Sequence, residues 1–535
     1  MTLAPQQSKA LPSSGAVRHY RGMRSRTGFG AALGLASAGA GLAVSELLSG
    51  LLHLRLSPVV ALSEWIIKLT PGSVIEFGIQ LLGQNDKPVL IAMTLVGLVL
   101  ASCLVGVWAM RSMLRAQAVF VLMGVVLLLA VHERLSSSIA SFAPAVAGVA
   151  AAMAALAMLT PKARVAVAGG GGADPTEAGA TQDTSRRGFL RLAGGVALGA
   201  VVVGATGRVL AQGRAVLESA RRNLNLAVTA GSKPSGVDVG LDGIAPWRTS
   251  QERFYRIDTA LSVPQILPAE WRLRVHGKVE SELTLTYQDL LDRQLTEAWV
   301  TLCCVSNQVG GALISNAWWS GVRIADVLRE AGVSADADAV LSTSEDGWTC
   351  GTPLGALTDD RNALLAFAMN GEPLTPEHGF PVRMVVPGLY GYVSATKWVV
   401  DLEVTRFADF EAFWTGNGWA EEGPVKTQSR IDVPMGGATV RTGDVAVGGI
   451  AWAQHTGITK VEVRVDEGAW QQAELGSEPT TDSWRQWSYA WPATMGDHQI
   501  QVRATDASGY TQTGDEADVV PDGATGWHTI DVTVS

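Results

Sequence analysis

Thr301-Leu302-Cys303-Cys304-Val305-Ser306-Asn307-Gln308-Val309-Gly310-Gly311 decides how the second half of the chain is read. Ala298 to Leu302 has the character of a strand, which ends on cysteine as a polar loop begins. Ends of elements are where a rigid scaffold presents functional groups. A thiolate is a soft, charged ligand suited to a transition metal. The chain holds four cysteines, Cys103, Cys303, Cys304 and Cys350, too few for a disulfide scaffold. No CxxC pair or histidine cluster of zinc spacing accompanies them, which disfavours a tetrahedral zinc site. By spacing alone two readings of Cys304 stay open, a metal ligand or a small buried hydrophobe.

Outward from this loop, the texture from about Trp247 is that of an α+β domain. Trp271 to His276 alternates as a strand does, and Ile324 to Ala331 has helical spacing closed by Gly332. Ala363 to Met369 is apolar and runs into a turn at Asn370-Gly371, and Phe380 to Val386 reads as a buried strand. After Ala420 the pattern becomes all-β. Strands are expected at Val445 to Trp452, Lys460 to Val465, Trp484 to Trp491, His498 to Thr505 and Trp527 to Val534. Their spacing predicts an antiparallel sandwich of immunoglobulin type.

The N-terminal half is different. Of the 535 residues, 47% are apolar and only 17% charged, against about 25% charged in ordinary soluble proteins. The deficit lies in Thr27 to Thr160. Membrane spans are expected at about Phe29 to Leu52, Val89 to Met110, Ala118 to Val131, Ile139 to Leu159 and Phe189 to Leu210. The third is short and must borrow flanking residues. Leu56 to Gly83 reads as interfacial or re-entrant. Arg18, Arg21, Arg24, Arg26, Arg111, Arg115, Lys162, Arg164, Arg186 and Arg187 fall on one side of such a topology. The positive-inside rule makes that side cytoplasmic. Five spans then put everything after Leu210 outside the cytoplasm. Ala166 to Ser185, rich in Gly, Ala and Thr, reads as a flexible linker. It ends in Ser185-Arg186-Arg187-Gly188-Phe189-Leu190-Arg191, which resembles an internal twin-arginine export signal. Glu46, His53 and His132 read as residues near the outer ends of spans, not as a haem pair. A net charge of −9 with no basic stripe argues against nucleic acid as a partner.

Several motifs stand in order along this half of the chain. They are Phe254-Tyr255-Arg256-Ile257-Asp258, Cys304-Val305-Ser306-Asn307 and Trp319-Ser320-Gly321-Val322. Asn370-Gly371-Glu372-Pro373-Leu374, His378-Gly379-Phe380-Pro381-Val382-Arg383, Val386-Pro387-Gly388 and Ser394-Ala395-Thr396-Lys397-Trp398 follow. Together, in this order, they resemble the sulfite oxidase family of molybdopterin enzymes, and the likeness covers Phe254 to Thr405. It implies a molybdenum–molybdopterin cofactor with Cys304 as the metal's thiolate. It implies that Tyr255, Arg256, Asn307, His378, Arg383, Ser394 and Lys397 hold or adjoin the pterin, whose phosphate suits Arg and Lys. Cys303 has no counterpart, being either structural or paired with Cys350. The sandwich resembles the family's dimerisation domain, so a homodimer is expected.

One departure bears on substrate. Sulfite oxidases carry an arginine soon after C-x-x-N, whereas Gln308-Val309-Gly310-Gly311 brings no positive charge. A sulfoxide is therefore as fitting a substrate as sulfite. No haem domain is recognised, so haem is not expected and electrons pass to or from a separate donor or acceptor.

The chain thus reads as multi-domain, an α-helical transmembrane anchor, an α+β sulfite-oxidase-like molybdopterin domain and an all-β immunoglobulin-like sandwich. The boundaries are a cytoplasmic tail at 1–26, a four-helix region at 27–160 and a linker at 161–187. A fifth span at 188–210, a second linker at 211–246, the molybdopterin domain at 247–410 and the sandwich at 411–535 complete it. The expected activity is oxygen-atom transfer on a small molecule outside the cytoplasm. The alternative is a non-enzymatic surface binding protein with a degenerate cofactor domain.

Overall fold

The computed structural model describes residues 14–52, 58–70, 74, 86–132, 139–168, 187, 191, 193–196 and 214–535. The chain divides into two units, Met1–Gly213 and Arg214–Ser535.

In the first unit, helices run over Ser14–Leu51, Pro58–Leu69, Asp86–Ala109, Met113–His132 and Ala143–Ala168. Four stretches are long and apolar enough to cross a membrane: Arg26–Leu51, Val89–Ala109, Met113–His132 and Ala140–Val167. The third borrows Met113 to Gln117 to reach its length. The expected fifth span, the linker before it and the twin-arginine string lie almost wholly outside the described residues. Small residues let the helices close on one another. A methyl on Gly34 would fall 1.8 Å from the Ser102 carbonyl oxygen, and one on Gly106 would fall 2.1 Å from that of Gly30. Met93, Val96, Leu100 and Leu104 share the opposite, exposed face of their helix.

The second unit carries nineteen strands among the described residues. In chain order they are β1 (Arg272–Gly277), β2 (Leu283–Thr286), β3 (Thr296–Cys303), β4 (Ile314–Arg323), β5 (Ala339–Ser344) and β6 (Thr349–Pro353). There follow β7 (Leu364–Met369), β8 (Glu372–Pro373), β9 (Arg383–Val385) and β10 (Val399–Thr405). The last nine are β11 (Gln428–Val433), β12 (Thr439–Val440), β13 (Gly443–Trp452), β14 (Ile458–Val465), β15 (Gln471–Gln472), β16 (Glu474–Leu475), β17 (Arg485–Ala493), β18 (Gly496–Asp506) and β19 (His528–Val534).

One sheet has the order β2-β1-β10-β5-β6, and a second has β3-β4-β7-β8 with β9 added to β7. Every residue of β7 is buried, because the second sheet is covered on both faces. Leu365, Phe367 and Ala368 feed one core, while Leu364, Ala366 and Met369 feed another. Asn370 and Gly371 both have positive φ, 57° and 85°, and turn β7 tightly into β8. The helix Ile324–Ala331 forms at the expected residues and ends on Gly332 at φ 71°. Phe380 to Val386 is less regular than expected: only Arg383–Val385 pairs as a strand.

The C-terminal strands form sheets β11-β13-β17-β16 and β12-β19-β18-β14-β15 around one core. In β14, Val461 and Val463 are buried and Glu462 and Arg464 face outward, as the alternation predicted.

The stretch 214–246 is not a free linker. It starts with the helix Arg214–Arg222, whose Leu217 is buried among Phe254, Val300 and Trp319. Further on, Thr229 donates twice to the Glu297 carboxylate, Ser477 N–H donates to Gly236 and Ala245 N–H donates to Asp432.

Candidate functional site

Alternation along β3 decides where the two cysteines point. Ala298, Val300 and Leu302 belong to the core containing Phe254, Trp319 and Phe380, whereas Trp299 and Cys303 belong to the other. Cys303 packs as a small hydrophobe with its sulfur 3.5 Å from the Cys304 carbonyl oxygen. Cys350 lies 3.8 Å from the Thr352 hydroxyl, and all four thiols are free. The suggested Cys303–Cys350 pairing is therefore corrected, and the structural alternative for Cys303 is the one found.

Cys304 is buried where the strand gives way to the loop. Its N–H donates to the Leu313 carbonyl at 2.9 Å, and its own carbonyl accepts from Asn307 N–H at 3.0 Å. Burial raises its thiol pKa, while donors from the Ser306 backbone and hydroxyl act the other way. Asn307 Oδ1 accepts from Leu313 N–H at 2.7 Å and closes the loop, while its buried Nδ2 has no protein partner.

Beta-strand β3 lies at the edge of its sheet, and the sandwich covers that edge. Thr301 N–H donates to the Asp482 carbonyl, Gln454 Nε2 donates to the Thr301 carbonyl, and Trp484 N–H donates to the Thr301 hydroxyl. The segment that delivers Cys304 is thus held from both sides.

The basic residues singled out in the sequence converge. Arg383, 5% exposed, sits 5.1 Å above the Trp319 ring. Among the described residues its guanidinium donates only to the carbonyls of Met384, His378 and Ala395, at 3.3 to 3.5 Å. Burial lowers its pKa to about 10, with Tyr255 opposing. Lys397 Nζ lies 2.7 Å from Asp258 and 3.1 Å from the Glu377 carbonyl. Burial lowers its pKa to about 8, against the pull of Asp258. Arg256, half-exposed, pairs with the same carboxylate at 2.9 Å. His378 meets the Gln251 carbonyl through Nε2 at 2.8 Å, so that nitrogen carries the proton. Burial first, then the charges of Arg383, Lys397 and Arg256, take its pKa down to about 4. Tyr255 joins this group to the cysteines: burial, Cys304 and Cys303 raise its phenol pKa and Arg383 lowers it. Ser394 is buried in the turn before Lys397, and its hydroxyl is spent on the Leu389 and Tyr390 carbonyls. Any ligand role for Ser394 falls to its oxygen lone pairs.

Two members of the site escaped the sequence reading. Asp258, quoted only as part of a motif, is the carboxylate that holds Arg256 and Lys397. Tyr390, 3% exposed, has a phenol pKa raised by burial and by both cysteines. The signal for Asp258 was an acidic residue beside a basic one in an otherwise basic constellation. Tyr390 gave none.

The family model described as "Oxidoreductase molybdopterin binding domain" matches residues 260–414. An uncharacterised oxidoreductase of Bacillus subtilis (strain 168), YuiH, is 38% identical over 154 residues, covering 29% of this chain and 74% of that protein. Mitochondrial sulfite oxidase of Mus musculus is 33% identical over 298 residues, covering 46% of this chain and 54% of the enzyme. The chain therefore spans about half the length of the sulfite oxidases it matches. The sulfane dehydrogenase SoxCD from Paracoccus pantotrophus superposes with a TM-score of 0.47 at 23% identity, over 57% of this chain and 86% of that one.

A buried cysteine loop and a cluster of basic residues, within a matched molybdopterin-binding domain, define a molybdenum-dependent oxidoreductase. The chain belongs to the sulfite oxidase family of these enzymes.

Proposed function

We propose that the chain is a membrane-anchored enzyme that transfers an oxygen atom to or from a small substrate outside the cytoplasm. Its substrate is a sulfoxide or a sulfite-like compound, and a separate protein or the membrane pool exchanges its electrons. The observation that carries this reading is the buried Arg383, whose positive charge meets no carboxylate among the described residues. A charge in that position is costly unless an anion answers it. The phosphate of a molybdopterin is such an anion. The orphaned Nδ2 of Asn307 supplies a further donor on the cysteine loop.

In this reading Cys304 is the metal's thiolate, stabilised by the Ser306 donors. Arg383, Lys397 and Arg256 hold the anionic end of the cofactor, His378, neutral and with its Nε2 proton committed to Gln251, adjoins the pterin, and Tyr255 keeps its proton and acts as a donor between the two regions. Phe254 and Trp319 exclude water beneath them. When bound, the molybdenum group supplies an open coordination position and a reversible change of oxidation state. The absence of a cationic side chain from Gln308 to Gly311 favours a neutral substrate over an anion. The C-terminal sandwich is of immunoglobulin type and serves dimerisation.

Metal analysis of membrane-extracted protein tests the assignment. Wild type is expected to hold molybdenum and Cys304→Ala to lose it or its activity. A properly folded wild type without molybdenum would overturn the reading. Assays with sulfite and with sulfoxides then identify the substrate class.

A further inference from the structure

The loop from Asn307 to Leu313 is tied within itself and to Cys304, and further supports come from residues beyond 425. Arg430 on β11 donates from Nη1 to the Gly311 carbonyl at 2.7 Å. Gly310, at φ +75°, lies against the His528 ring so closely that a methyl there would sit 2.2 Å from Cδ2. Gln308 Nε2 reaches Asp518 at 3.3 Å. Arg430 is the one cation in this set. It is held in turn by Asp432 at 2.6 Å, both side chains being about nine-tenths buried. The other oxygen of Asp432 accepts from Ala245 N–H at 2.8 Å, in the segment that enters from residue 214. One buried ion pair therefore joins three parts of the chain: the entering segment, the sandwich and the cysteine loop.

We propose that Arg430, anchored by Asp432, is a positioning residue for the Cys304 loop. It fixes the Gly310–Gly311 turn and thereby the direction in which Asn307 and the thiolate are presented. Asp432 offsets its charge, and Nε and Nη1 are committed to the carboxylate and the carbonyl. Its part is thus to hold backbone, not to bind substrate. The geometry suits arginine and no other residue. Only a planar fork can meet a carboxylate and a carbonyl at once along fixed directions. The proposal rests on the molybdenum reading for one of its two measurements only.

The test compares full-length wild type with Arg430→Met, Arg430→Lys and Asp432→Asn. Amide hydrogen exchange is followed at Gly311 and Leu313, with Val461, Val463 and Val502 of the sandwich core as reference. In Arg430→Met, exchange at Gly311 and Leu313 is expected to rise about tenfold or more while the reference amides stay protected. Arg430→Lys, which can still reach the Gly311 carbonyl, is expected to recover part of that protection. X-ray absorption at molybdenum is the second measurement, with a changed metal–thiolate signature expected in Arg430→Met at unchanged molybdenum content. Wild-type exchange at both loop amides, or a rise shared equally by the reference strands, overturns the proposal. Should Arg430→Met fail to fold, Asp432→Asn decides, with faster exchange expected at Ala245 and Gly311 together and unchanged exchange refuting the brace. If wild type carries no molybdenum, the functional reading fails while the exchange result stands by itself.

Discussion

Arg383 is energetically odd as a residue, because a guanidinium buried to 5% exposure is bonded only to carbonyl oxygens. Removing an unanswered charge from a protein interior stabilises the fold even as it removes a binding group. Arg383→Met is therefore expected to raise the thermal midpoint of cofactor-free protein, by about 1 kcal/mol or more in stability. In loaded protein the same variant is expected to lose bound cofactor. Differential scanning calorimetry with metal analysis reads both signs, and a variant that is destabilised in both states would show that Arg383 is a structural residue. Legibility at this scale depended on whether a residue's partner lay inside its own motif. Cys304, His378, Arg383 and Lys397 could be found from ordered motifs. Asp258 finds Lys397 across 139 residues and Arg430 finds Gly311 across 119, distances over which a single sequence carries no pairing signal.

Among the elements, β3 depends most on others. Its Thr301 side chain accepts from Trp484 N–H and donates to Asn316 Oδ1, both in buried surroundings. Thr301→Val keeps the shape and β character but orphans the Trp484 N–H, while Asn316 Oδ1 keeps the Ser483 hydroxyl as a donor, and a buried polar group left unmatched costs about 1–3 kcal/mol. Urea unfolding should show that loss, whereas a change below about 0.5 kcal/mol would mean that water replaces the hydroxyl. Elements with a period were legible. Strand β14 showed its alternation, and the helix Ile324–Ala331 showed its spacing and its Gly332 stop. The stretch from Phe380 to Val386, apolar but for Arg383, promised a longer strand than β9. Periodicity could not reveal that Arg383 pairs with Ala366 while the residues before it serve the turn around Gly379. Strands β15 and β16, two residues each, are set by their neighbours and carry no pattern of their own.

At the scale of the whole molecule, composition separated the two units correctly in kind: apolar helices before residue 213, mixed and β structure after it. If four or more of those helices cross a bilayer, the protein should stay with membranes through alkaline carbonate washing and be released only by detergent. Release by carbonate alone would reduce the first unit to a peripheral attachment. What composition concealed was the stretch 214–246, whose polar, glycine-bearing sequence looks like a spacer. Its backbone donors are instead taken up by side chains of both domains, among them Glu297 and Asp432. The cover over β3 also has a meaning in time. The donor that completes Thr301 is Trp484, which follows it by 183 residues. On the ribosome, the strand that carries Cys304 is made long before the partners that hold its edge. That edge cannot be completed until Trp484 has emerged, so on the proposed function cofactor loading is expected to follow synthesis of the sandwich and not to run alongside synthesis of β3.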